Sequence, residues 1–236
     1  MDTTPPGKSK GREIAERAAE AGLSSVPVLG GALAVTLVTA LNWKLNLRRD
    51  EWLEELAKAV EELGGRIDGI GIDTLVENPL FVDAVVSASR TIEHTHQQDK
   101  ITALRNAVLN SALPGAPDAD GQAVLFNMLD RFTGSHLRLL TMWNDPAAWF
   151  ASRDLPPPQA GMAGSRTQTV EAGLPELRDR KDFYMQLAYD LNSAGLMTAN
   201  VAGMVSPTAL MDRLTSGLGR QLVEFISRPG ENSASS

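Results

Sequence analysis

The feature that most constrains this chain is the run from Ala32 to Leu63, which contains neither proline nor glycine. Leucine, alanine and glutamate dominate the run, and all three favour helix. The pair Gly64–Gly65 then supplies a stop signal. We predict one long helix here and a mainly α-helical fold: a helical bundle with a small C-terminal helical or winged-helix-like unit that could include a short β-hairpin.

Further helices are indicated by start and stop signals. The segment "ENPLFVDAVVSAS" opens with Asn78 as a cap and Pro79 at the first helical position. No breaker follows until Pro114, although the polar "EHTHQQDK" is able to bend or interrupt this helix. Two shorter amphipathic helices are predicted around Thr133–Gly134.

A change of composition predicts a domain boundary. Residues 155–169, "LPPPQAGMAGSRTQT", read as a proline- and glycine-rich polar linker. The predicted organisation is a disordered start over 1–10, a helical bundle over 11–154 that includes a short helix in "GREIAERAAEAG", the linker, a small winged-helix-like unit over 170–228, and a disordered tail over 229–236.

The stretch from Ala21 to Trp43 carries no charged residue. Its length is about that of a membrane helix. Proline and glycine leave only the piece from Ala32 to Trp43 as uninterrupted helix, which is nearer the length of a buried helix. We interpret it as the apolar beginning of an amphipathic helix that packs on its own bundle or on a partner. A membrane-surface helix and a membrane span are the alternatives.

Apolar residues recur along this helix at steps of three to four, the period of one helical face. A stripe longer than its own bundle can cover would be buried against another subunit or at a lipid interface. We therefore expect a protein partner or a second copy of the chain, with a membrane surface as the alternative. The predicted interaction surface comprises Leu33, Leu37, Leu41, Leu45 and Trp52.

Catalytic and metal-binding signatures are not recognised. The chain has no cysteine, and this rules out disulfides and thiolate sites. Glu93 and His96 have the spacing of one carboxylate-bundle metal motif, but a second such pair is missing, and His94 and His96 point apart on a helix. Serine-nucleophile and phosphate-loop motifs are absent from the sequence. We predict a non-enzymatic protein without cofactor or metal.

The segment "DKITALRNAVLNSALP" sets polar groups beside an apolar stripe. Arg105, Asn106 and Asn110 lie on one predicted helix, where amides can hydrogen-bond a neighbouring helix. A structural polar network is the expected role, and a ligand or partner site is the alternative.

The C-terminal segment carries a weak family resemblance. "YDLNSAGLM", followed by "LTSGLGRQLVEFI", resembles the end of bacterial winged-helix domains over about fifty residues. That resemblance implies a regulator that binds nucleic acid or protein. Nucleic acid is the less expected partner because the formal net charge is -7 and no basic patch stands out.

The order of "VPVLGGALA", "ENPLFVDAV", "KITALRNAVLNSAL" and "DRLTSGLGRQLVEFI" is similar to that in an uncharacterised group of bacterial helical proteins. This resemblance implies an α-rich fold and supplies no catalytic residues. The expected function is a helical interaction or oligomerisation protein, membrane-associating through residues 26–47 as one option. The expected location is the cytoplasm. If residues 26–47 bind lipid, the expected location is peripheral, at the inner face of the membrane.

Overall fold

The computed structural model describes residues 31–67, 70–159 and 161–230, and side chains from residue 35 onwards. The mainly α-helical fold predicted from the sequence is confirmed, since ten α-helices, two short 3-10 helices and a two-stranded sheet make up the described regular structure. The α-helices are α1 Gly31–Gly64, α2 Ile72–Leu75, α3 Pro79–His94, α4 Gln98–Ser111, α5 Ala119–Arg131, α6 Gly134–Asn144, α7 Pro146–Ser152, α8 Arg166–Gly173, α9 Lys181–Ser193 and α10 Gly217–Ile226.

Helix α1 runs for 34 residues without a break, as the composition of its sequence predicts. Its end is fixed by a close approach: a Cβ at Gly64 would meet the carbonyl oxygen of Ile70, so the returning chain needs a glycine there. The described residues divide into two units, and the division falls after Glu54. Residues of α1 belong to both.

The second unit is a helical bundle with α4 near its centre. Helices α3, α5, α6 and α10 all pack against α4, and α9 and α10 also contact α6. Apolar side chains of α4, α6 and α10 are removed from solvent in this core, among them Leu104, Leu139, Leu140, Trp143 and Leu222. Their burial supplies the main driving force for the packing.

The predicted helix from Pro79 towards Leu113 is interrupted. Asn78 caps α3 as expected, its side-chain oxygen accepting the Leu80 amide at 3.0 Å. Helix α3 ends at His94, and the Thr95 hydroxyl accepts the amide of Gln97 at 3.2 Å. This local hydrogen bond offers the backbone an alternative to the helix ladder, and the chain leaves the helix over residues 95–97, between α3 and α4.

The predicted linker does not separate two units in this structure. Helix α8 begins inside it at Arg166, and both Thr169 and Val170 are buried. The residues on either side of 155–169 belong to the same compact unit, and α10 packs on α4 and α6. Proline and glycine mark a break in local structure, whereas a domain boundary depends on whether the flanking elements share a core.

The C-terminal elements follow the predicted order of helix, β-pairing and helix. Gly195, with φ of +73°, ends the α9 segment, Met197 and Thr215 form an antiparallel bridge, and α10 follows. The sheet itself joins β1, Gly164–Ser165, to β2, Met204–Val205, in antiparallel register. The winged-helix resemblance of this region stays a prediction.

Several expectations fall outside the described residues: the short helix in "GREIAERAAEAG", the start over 1–10 and residues 231–236 of the predicted tail. Among the helices that the structure describes, none combines the length and the apolarity needed to cross a bilayer.

Candidate functional site

The apolar stripe of α1 changes environment along the helix. At about 100° per residue, Val38, Leu41 and Leu45 fall on the same face as Leu56 and the residues that follow it, within an arc of about 100°. Leu56, Val60 and Leu63 are 4%, 3% and 1% exposed. Val38 and Leu41 are 54% and 53% exposed. This face of α1 is thus buried at its C-terminal end and open to solvent at its N-terminal end, and Arg48 and Arg49 interrupt its apolar residues between Leu45 and Trp52.

Two further large apolar side chains add to the open part. Leu37 is 60% exposed and borders the stripe, while Trp43 is 59% exposed and lies on the other side of the helix. Exposed leucines scattered singly need no explanation, whereas several exposed apolar side chains close together on one helix are a candidate interaction site. We call Leu37, Val38, Leu41 and Leu45 the α1 surface.

The predicted interaction residues differ in their exposure to solvent. Leu37 and Leu41 are exposed, and Leu45 is half-buried. Trp52 is also predicted on this surface, but its side chain is buried, and the prediction is wrong for this residue. The buried part of the face already includes Trp52. The side chain of Leu33 lies outside the described residues.

A basic cluster follows the α1 surface. The ammonium group of Lys44 lies 4.9 Å from the ring centre of Trp43, a cation–π distance. Arg48 is exposed, and Arg49 approaches Asp50 at 3.9 Å. From residue 35 to residue 49 the helix carries these three basic side chains and no acidic one.

The asparagines of α4 close the end of the last helix. The Asn106 side-chain amide donates to the carbonyl of Ile226 at 2.9 Å, and that of Asn110 donates to the carbonyls of Phe225 and Ser227 at 2.8 Å each. These carbonyls belong to the last turn of α10 and to its C-cap residue Ser227, where acceptors have no partner inside the helix. Arg105 is half-buried on the same helix and takes no part in this contact.

His136 is a buried group that sequence reasoning missed. Its Nδ1 atom accepts the backbone amide of Thr133 at 3.2 Å and lies 2.8 Å from the Thr133 hydroxyl. Because Nδ1 accepts a hydrogen bond, it carries no proton, and the hydroxyl donates to it as well. The Nε2 proton then points to Asp190 Oδ2 at 3.4 Å. The imidazole thus completes the N-terminal cap of α6 and reaches across to α9.

Burial lowers the pKa of His136, and the nearby charges of Arg131 and Lys100 act in the same direction. Asp190 opposes this effect through its hydrogen bond and its charge without reversing it. The ring is therefore held in its neutral form. The signal in the sequence is the spacing of Thr133 and His136, in which histidine takes the place of the usual glutamate or glutamine of a capping box.

A second buried polar group joins three helices. Lys100 on α4 is nearly buried, and its Nζ atom donates to the carbonyl of Asp130 at 2.7 Å. The carboxylate of Asp130 accepts the Thr91 hydroxyl at 2.9 Å. Burial lowers the pKa of Lys100, and the charge of Asp130 partly restores it. This hydrogen-bond chain ties α3, α4 and α5 together.

His94 and His96 are exposed, and α3 ends at His94. Glu93 and His96 therefore do not share a helix, and the geometry of the carboxylate-bundle motif is not formed. Among residues 31–67, 70–159 and 161–230, no three histidine or carboxylate side chains converge as a metal site would require.

A shallow cavity of about 260 Å³ opens beside the end of α4, where Asn110 and the turn from Leu113 to Pro117 face Gln221, Glu224 and Phe225 of α10.

No family model matches the chain, and no curated protein and no solved structure matches it significantly.

Proposed function

We propose that this protein is a non-enzymatic helical interaction protein that associates with a second copy of itself through the α1 surface. The observation that carries the proposal is the change of exposure along one face of α1: Leu56, Val60 and Leu63 are buried, whereas Val38 and Leu41 on the same face are exposed. An apolar face of this kind favours association in water, because removing apolar surface from water lowers the free energy by about 25 cal/mol per Å².

The buried polar groups support the non-enzymatic part of the proposal. Both ring nitrogens of His136 are engaged within the fold, by Thr133 and by Asp190. Lys100 donates to a backbone carbonyl and not into the cavity beside α4. Each group has a role in joining helices, and this role needs no substrate.

The test is sedimentation velocity of the full chain over a range of concentrations. The wild-type protein should show a reversible dimer, and the double variant Val38→Asp with Leu41→Asp should be monomeric, because a carboxylate on each side would have to be buried in the contact. The far-ultraviolet circular dichroism of the variant should match that of the wild type, since both residues are exposed.

The matched control is Thr39→Asp with Asn46→Asp, which adds the same charge on the other side of the same helix. Both residues are exposed, and this variant should keep the dimer. A wild-type protein that stays monomeric at its highest soluble concentration would contradict the proposal, as would a control variant that dissociates as completely as the stripe variant.

A membrane surface is the second candidate partner, and one observation favours it. The exposed Trp43 stands beside Lys44 at the end of the apolar run, and aromatic and basic residues together are typical of the membrane interface. Co-sedimentation with vesicles of phosphatidylcholine and phosphatidylglycerol separates the two cases. Wild-type protein that pellets with vesicles and forms no dimer would assign residues 26–47 to lipid. In the dimer proposal the protein is cytoplasmic, and in the lipid case it is peripheral at the inner membrane face.

A further inference from the structure

A second exposed apolar surface lies on the other compact unit. Ile72 on α2 and Val76 directly after it are exposed and four residues apart, and Val82 and Val86 form a second exposed pair with the same spacing on α3. Val82 and Val86 make a ridge along α3, and a ridge of this kind is what a second helix packs beside. Ile72 and Val76 add two exposed apolar side chains that are close to it along the chain. We call these four residues the α2–α3 surface.

This surface has an acidic border. Asp73, Glu77 and Asp83 are exposed among its apolar residues, and no basic residue occurs from residue 72 to residue 86. The segment therefore has a formal charge of −3, from three acidic and no basic side chains.

The α1 surface has the opposite character. Residues 35–49 carry Lys44, Arg48 and Arg49 and no acidic side chain, which gives a formal charge of +3. Two α1 helices side by side in the same direction would bring these basic clusters together, and like charges that face each other destabilise an interface. The α2–α3 surface instead offers apolar contact and opposite charge together.

We infer that the α1 surface of one copy docks on the α2–α3 surface of a second copy. The inference rests on the proposed function and names the surface that receives α1. We take this exchange to be reciprocal, so that each copy gives its α1 surface and receives that of the other, and the product is a dimer. The opposite charges that this docking sets against each other are Lys44 and Arg48 of one copy and Glu77 and Asp83 of the other.

The experiment is a charge exchange measured as the dimer dissociation constant by sedimentation equilibrium of the full chain. One variant carries Lys44→Glu with Arg48→Glu, and the other carries Glu77→Lys with Asp83→Lys. Each should weaken the dimer by about tenfold or more, because it sets like charges against each other. A chain with all four changes restores the opposite charges and should return towards the wild-type constant.

The matched control for the second variant is Asp179→Lys with Asp212→Lys, which changes the net charge equally at exposed positions elsewhere. It should leave the dimer intact. Circular dichroism and the melting temperature of every variant report folding separately from association.

The outcomes separate this inference from the proposed function. A wild-type protein that does not associate removes both. A dimer that Val38→Asp with Leu41→Asp abolishes, but that Glu77→Lys with Asp83→Lys leaves unchanged, keeps the proposed function and overturns the docking on α2–α3. Tighter association on reversal of Lys44 and Arg48 alone would point to contact between two α1 surfaces, and it too would overturn the inference. So would binding to lipid vesicles in place of a dimer.

Discussion

His136 Nε2 lies 3.4 Å from Asp190 Oδ2 and so connects the first turn of α6 to α9. The same ring accepts the amide of Thr133 through Nδ1. Protonation of Nδ1 would place two donors against each other at the start of α6. The contact with Asp190 would gain charge, but burial still dominates and lowers the pKa of His136. The fold therefore favours neutral histidine.

The free energy of unfolding should consequently fall as the pH is lowered below about 6.5, the ordinary pKa of histidine. The pKa of His136 is lower in the folded than in the unfolded chain, so between the two values the unfolded chain binds more protons. The stabilisation is fully present above the unfolded pKa and is lost as the pH falls through the folded value. Urea unfolding followed by tryptophan fluorescence, from pH 8 down to about 5, measures this dependence.

The variant His136→Gln removes the titrating ring and should have a flatter profile over that range. His94→Gln and His96→Gln are the controls, because both histidines are exposed. They should retain the wild-type profile. A His136→Gln profile parallel to that of the wild type would show that other groups produce the pH dependence.

Asn106 should matter for stability in a way that an exposed asparagine does not. Its amide donates to the Ile226 carbonyl inside the protein. Asn106→Ala leaves that carbonyl without a donor, at a cost of about 1–3 kcal/mol. Chemical denaturation gives the value, and hydrogen exchange should show earlier opening of the last turn of α10. Asn42→Ala, at an exposed position of α1, should change the free energy of unfolding little. Equal effects of the two variants would exclude a special role for the contact.

Two glycines at the start of α10 should respond in opposite ways to alanine. A Cβ at Gly219 would meet the carbonyl oxygen of Leu196, whereas at Gly217 the nearest atom is the mobile end of Arg220, 3.9 Å away. Gly219→Ala should destabilise the protein by about 1–3 kcal/mol or more, because backbone cannot yield easily. Gly217→Ala should be neutral or should stabilise by up to about 1 kcal/mol through helix propensity. Melting temperatures of the two variants compare them directly, and a well-tolerated Gly219→Ala would mean that the two segments separate readily.

The sequence carries clear signals for the local elements of this fold. The length of α1 follows from the absence of breakers, and the start of α3 follows from Asn78 and Pro79. The polar residues around His94 predict an interruption only as an option, because the hydrogen bond from the Gln97 amide to the Thr95 hydroxyl competes with a further turn of helix. These features depend on residues that are close along the chain.

Features that depend on distant residues were harder to predict. The linker at 155–169 has the composition of a boundary, but helices on both of its sides share one core. Trp52 belongs to the stripe by periodicity, yet periodicity does not reveal where the stripe becomes covered. Asn106 and Asn110 were placed on a helix able to bond a neighbour, and only the fold identifies that neighbour as α10.

The two ends of the α1 stripe should differ sharply in their effect on folding. Leu63 is 1% exposed and Leu41 is 53% exposed, although both are leucines on one face of one helix. Leu63→Ala creates a cavity and should lower the free energy of unfolding by about 2–5 kcal/mol. Leu41→Ala loses little buried surface and should change it by less than about 0.5 kcal/mol. Urea denaturation at a protein concentration where the chain is monomeric isolates folding from association. Comparable losses for the two variants would mean that Leu41 is buried in the folded monomer, and the α1 surface would then be part of the core.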